Sequence, residues 1–183
     1  MEPVLAKPLL LARHPDTPSA PMTLPVWIGL TGGMLRVTFR IPADTSPFLF
    51  PARVDSAFET GLWEHSCFEA FVMPVGGTEY VELNFSPSTR WAAFHFDRYR
   101  EGMRPIAVGA PKLVATPRRN RFELSAGVLL PDWPGLAWRV NLAAVIEEKS
   151  GRKSHWALAH PPGAPDFHHP DCFVLELPAP DAP

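Results

Sequence analysis

Cysteine and tyrosine are scarce in this chain, with only two of each among 183 residues. Cys67 and Cys172 stand far apart, which rules out a disulfide framework of the kind that staples small secreted domains. Both are expected to be reduced thiols buried as small apolar residues. Charge of a single sign is also lacking: 17 basic residues face 19 acidic ones. Such a balance excludes the broad positive field that nucleic acid requires. No apolar run reaches the roughly 18 residues of a membrane span, so no membrane partner is expected. The N-terminal stretch MEPVLAKPLLLARHPDTP carries Glu2 early and has neither a basic start nor a small-residue cleavage site. That predicts no signal peptide and a cytoplasmic location. Neither a G-x-S-x-G elbow nor a local Cys-His motif occurs, so no enzyme is expected.

Proline is what the chain has in excess, with 23 residues spread along its whole length. Proline breaks helices and is confined to turns and edges in sheets. Together with 12 Phe and 6 Trp, this predicts a folded, mostly β chain. One domain over 1–183 is expected, with 1–3 and 178–183 frayed.

Period-two alternation gives the strands. Residues 25–41 read as a hairpin turning at Thr31-Gly32-Gly33. Strands follow at 67–73, from 80, and at 91–99. A second hairpin covers 112–116 and 121–130, with Arg118-Arg119-Asn120 at its tip. Further strands are expected at 138–146, 155–159 and 172–177. Residues 44–66 form a long connection of the size that often carries function. Minor helical turns are placed at 97–103 or 147–151. With no βαβ rhythm, the expected class is all-β: an antiparallel β-sandwich, jelly-roll-like, with an open barrel as runner-up.

Strand parity then assembles a candidate site. Phe68, Ala70 and Val72 are uniformly apolar and face the core, which turns Glu69 outward. The same logic turns out Glu82 and Asn84, and Arg139 and Asn141. In 91–96, Trp91, Ala93 and His95 are taken as the wet side. Trp63 and Trp91 fall near the rim. Paired carboxylates, amides and a guanidinium suit hydroxyl groups, and flat indoles suit the apolar face of a sugar ring. The expected partner is a small molecule, most simply a sugar, held by Glu69, Glu82, Asn84, Arg139 and Asn141. Trp63, with Trp91 or Trp156, would stack on it. The competing reading is a protein-docking scaffold with every tryptophan buried. Third comes an enzyme using Glu69 and Glu82 as acid and base.

The runs GLWEHSCFEAFV, YVELNFSPSTRWAAFHFDRYREGM, WRVNLAAV and FHHPDCFVLEL resemble the DOMON-like proteins. They are most similar to the bacterial branch related to family-nine carbohydrate-binding modules. The likeness spans about Trp27 to Leu177. It implies a β-sandwich and ligand binding without catalysis, with sugars as ligands in some branches and haem in others. The sugar binders of the family clamp a terminal sugar between two tryptophans. Trp63 ahead of Glu69 fits the first, and Trp156 is the candidate for the second. The family's polar strand positions correspond to Glu82 and Asn84, although Arg or Lys is commoner where Glu82 stands. Haem would take its axial ligands from Met73, Met103, His95 or His168. A metal would draw on His155, His160, His168, His169 and Asp171. No cofactor is expected from either set. An exposed edge strand could pair two copies.

Overall fold

The computed structural model describes residues 7–130 and 136–179. Of the ends expected to fray, 1–3 and 178–183, all but 178–179 lie outside them.

Two antiparallel sheets face each other and share one strand. The first sheet contains β1 (Leu9–Arg13), β2 (Leu24–Thr31), β3 (Met34–Ile41), β9 (Arg121–Leu129) and β8 (Lys112–Arg118) in that order. The second runs β7 (Arg104–Pro105), β6 (Trp91–Phe96), β5 (Tyr80–Phe85), β4 (Cys67–Pro74), β10 (Trp138–Glu147) and β11 (Lys153–Ala157), and returns to β1. β12 (Leu175–Leu177) also pairs with β10. β1 changes sheets midway: Leu9–Leu11 pair with β2, while Ala12 and Arg13 pair with β11. A strand that switches sheets closes one corner of a sandwich. β1 and β7 are additions to the expected strands.

Between the sheets lies the main core, including Val26, Ile28, Val37, Phe39, Phe68, Leu83, Phe85, Leu124, Val140 and Leu142. Each large side chain buried there stabilises the fold by roughly 1.5–3 kcal/mol. The long 44–66 connection closes one edge: Phe48 is buried, and Phe50 stacks on Phe122 at 4.0 Å between centroids.

The two sheets differ on their outer faces. β3 and β9 alternate strictly between buried and accessible, as a half-solvated sheet should. β4 and β5 are buried at every residue. Something covers the outer side of the second sheet, and it is the loop 158–174. A second apolar cluster forms there from Leu62, Phe71, Tyr80, Phe94, Phe96, Phe167 and Phe173 among others.

Several boundaries are corrected. No helical turn forms at 97–103, where Arg98 and Glu101 make an isolated bridge, or at 147–151, where Glu148 accepts from Gly151 in a turn. The 3-10 turns are at Leu62–Glu64 and Pro170–Cys172. Cys172 therefore sits in a turn, with the last strand starting at Leu175. The strand from Trp91 ends at Phe96.

Candidate functional site

β4 and β5 bring the polar floor together. Glu69 stands opposite Asn84, and Phe71 opposite Glu82. Cross-strand partners share a face, so Glu69 and Glu82 are diagonal neighbours. Asn84 donates from Nδ2 to Glu82 Oε1 at 2.7 Å and accepts at Oδ1 from the Cys67 thiol at 3.6 Å.

The loop 158–174 is tied down over this floor by β10. Arg139 donates from Nε and Nη2 to the Phe173 carbonyl at 3.2 and 3.0 Å, and from Nη2 to the Pro170 carbonyl at 3.2 Å. Asn141 donates from Nδ2 to the Phe167 carbonyl at 3.0 Å. Phe167 and Phe173 anchor the loop in the second apolar cluster. What stays open beneath it is a cavity of about 360 Å³. Glu69 and Glu82 line it with Phe96, Phe167, His168 and Trp63, and Arg100 and His155 also reach it.

The floor is deeply buried, and its electrostatics follow from that. Glu69 is 3% exposed, and its Oε1 has no hydrogen-bond partner. Burial raises its carboxyl well above the ordinary range, and the neighbouring Glu82 charge raises it further. Burial likewise lifts Glu82 to about 7, against the opposing pull of the Asn84 amide and Arg100. Two adjacent carboxyls in a poorly solvated place cannot both ionise readily, so they titrate as a unit. His168 is pushed the other way, to about 4, by burial and then by Arg100. Its Nδ1 lies 2.8 Å from the Tyr80 hydroxyl, which also accepts from the Arg100 backbone N–H at 3.1 Å. Giving the phenol proton to Nδ1 leaves the imidazole proton on Nε2, facing Glu82 Oε2 at 3.7 Å.

At the rim, Arg100 donates to Asp166 Oδ1 at 2.7 Å, and the Tyr99 hydroxyl donates to Oδ2 of the same carboxylate at 2.5 Å. Trp63 rides on the 3-10 turn that begins after Gly61, whose φ of 75° suits a residue without a Cβ. Its ring meets Phe94 edge-on at 6.0 Å and remains 37% exposed.

Of the residues singled out in the sequence, Trp63, Glu69, Glu82 and Asn84 meet at this cavity or in its floor. Arg139 and Asn141 share the face, but their donors hold the loop and do not face an open surface. Trp91 and Trp156 are corrections. Both belong to the core between the sheets, at 9% and 5% exposure. Register explains Trp91: Ala92 pairs with Asn84 and Phe94 with Glu82, so Ala92, Phe94 and Phe96 share the outer face while Trp91 and Ala93 turn inward. The wet side assigned to Trp91, Ala93 and His95 is thus reversed. Nor is the outer face wet, because the loop buries it.

His168, Tyr80 and Arg100 enter the site without having been read as sugar-site residues. No local spacing links them, since His168 arrives from the far end of the chain. Of the other histidines, His155 reaches the cavity and lies near His14 and His160, which stack edge-on at 4.9 Å, while His169 lies beside Asp171. Among the described residues, no group of three His, Cys, Asp or Glu side chains is placed to hold a metal ion.

No family model matches the chain, and no curated protein matches it either. Solved structures do. A candidate carbohydrate-binding protein from Bacteroides uniformis superposes with a TM-score of 0.64 at 16% identity, covering 91% of this chain and 83% of that one. A family-nine carbohydrate-binding module from Caldicellulosiruptor kristjanssonii, solved with cellotriose, superposes with a TM-score of 0.53 at 9% identity, over 86% and 74%. The fold is therefore the β-sandwich of carbohydrate-binding modules. Among these, the family-nine type is the particular architecture the chain resembles.

Proposed function

We propose that the chain is a non-catalytic receptor for a small carbohydrate, bound in the cavity beneath the 158–174 loop. The observation that carries this is Glu69 Oε1: a buried polar atom without a partner, on the floor of a walled cavity. Buried polar atoms are nearly always bonded, so an orphan on a side chain that lines the cavity marks a place where a ligand donor can complete the bonding. Glu82 beside it adds acceptors for hydroxyl protons. Phe96, Phe167 and the exposed Trp63 supply apolar walls for a ring face. A pyranose fits about 360 Å³, which lies in the range of small-ligand cavities. The concave site and accessible indole speak against a flat docking scaffold. Titrating the protein with mono- and oligosaccharides tests this. Trp63 fluorescence should shift and saturate with one of them and not in Trp63→Ala; silence across the panel would end the reading.

One observation favours a second reading. Glu82, held protonated to about pH 7 beside another carboxyl, has the properties of a general acid. Turnover of chromogenic glycosides that is abolished in Glu82→Gln would establish an enzyme. Binding without turnover leaves the receptor.

A further inference from the structure

Building on the carbohydrate reading, we infer that the cavity selects a sugar bearing a protonated amine, whose ammonium is held by Glu69 and Glu82. Glu69 and Glu82 are buried diagonal neighbours on one sheet face, and among the described residues neither forms an ion pair with Lys or Arg. Glu69 Oε1 has no partner. Asn84 neutralises nothing, since it brings only an amide N–H to Glu82 Oε1.

β4 offers the Cys67 thiol, whose pKa burial raises well above its usual value. β5 offers the Tyr80 phenol, raised by burial to about 12. His155 of β11 is moved toward its neutral form by burial and by His14. From the loop come His168, neutral at ordinary pH, and Asp166. Arg100 reaches the rim, but its guanidinium is taken by Asp166 at 2.7 Å. Arg100 is thus the one positive charge these elements bring near the floor, acting on Glu82 from the rim while paired with Asp166, and none is seen to act on Glu69. A neutral sugar would leave both carboxyls protonated and gain only hydroxyl bonds from them.

An ammonium gains more in two ways. Its N–H donors make charge-assisted bonds to carboxylates, shorter and stronger than those from a hydroxyl. Phe96, Phe167 and Trp63 line the cavity, and an aromatic ring face met by the ligand favours a cation electrostatically. Balance requires a proton to leave: the protonated carboxyl becomes a carboxylate against the ligand ammonium, and its proton passes to solvent.

Calorimetric titration of the whole chain with glucosamine, glucose and N-acetylglucosamine, in two buffers of different ionisation enthalpy, tests this. At pH 6, glucosamine should bind at least about tenfold more tightly than the other two, with about one proton released per ligand. The isosteric variants Glu69→Gln and Glu82→Gln, checked for folding by circular dichroism, should lose that preference. Should either fail to fold, proton release by the wild type decides. Glucose binding as tightly as glucosamine, or glucosamine binding without proton release, overturns the ammonium while leaving a sugar receptor. If none of the three binds, both readings fall.

Discussion

Glu82 and His168 face each other across the floor of the cavity, Oε2 to Nε2 at 3.7 Å, with the imidazole braced from behind by Tyr80. Each is held neutral by burial, the carboxyl by an upward shift and the imidazole by a downward one. The pair therefore gives stability two opposing pH dependences.

For Glu82 the folded-state value of about 7 exceeds the ordinary 4.5, so its stabilisation is complete below about pH 4.5 and is lost as pH rises through 7. For His168 the value of about 4 lies below 6.5, so its contribution is complete above about pH 6.5 and is lost as pH falls through 4. Each slope amounts to at most roughly 3 kcal/mol. Urea denaturation across pH 4–8 should show them partly cancelling in the wild type. The double variant Glu69→Gln/Glu82→Gln should leave stability rising from pH 4 to 6.5, and His168→Asn should leave it falling from pH 4.5 to 7. Parallel profiles for both variants would contradict this pairing.

Loop 158–174 should loosen when its ties to β10 are cut. Asn141→Leu leaves the Phe167 carbonyl without its donor, and Arg139→Ala frees the Pro170 and Phe173 carbonyls. Each is expected to lower stability by about 1–3 kcal/mol. Hydrogen exchange should speed up across the loop before the main core is affected. Unchanged exchange there would mean that the aromatic anchors alone hold the loop.

The tryptophans should divide by role. Trp63→Ala is expected to change stability by less than about 1 kcal/mol, because the ring is 37% exposed, yet to abolish the ligand-induced fluorescence change. Trp156→Ala should lower stability by about 3–5 kcal/mol through a core cavity. Thermal melts and titrations of the two variants measure both effects.

Gly102 shapes the bend that presents Arg100. Its φ is +70°, and an added Cβ would run into the Asp97 carboxylate and lie 2.9 Å from Asp97 Cβ. Asp97 accepts from Arg104 Nη1 at 2.6 Å, so the clash disturbs the anchor of β7 as well. Gly102→Ala should cost about 1–3 kcal/mol and weaken ligand binding. Wild-type melting and affinity in this variant would show that the bend tolerates a side chain.

The alternation of 25–41 and 121–130 was enough to place both hairpins, because one side of that sheet is solvated and the hydrophobic period is clean. The second sheet was harder. In CFEAFVMP both parities are largely apolar, which is the signature of a strand covered on two faces. Read as half-solvated, it yields the right orientation for Glu69 and the wrong environment. The same assumption put Phe94 and Phe96 in the core and turned Trp91 outward. Nothing local announces that 158–174 folds back over Glu69 and Glu82, since its anchors, Phe167 and Phe173, gain their meaning only from Arg139 and Asn141. Hence the floor was legible and the roof was not.

A crystal structure of the chain soaked with a sugar that binds in solution tests the site most directly. Expected is density for a pyranose ring beneath the 158–174 loop, with a donor within hydrogen-bond distance of Glu69 Oε1. An empty cavity, with the sugar instead on the groove of about 740 Å³ beside Trp27, Arg36 and Lys112 on the opposite sheet, would contradict it.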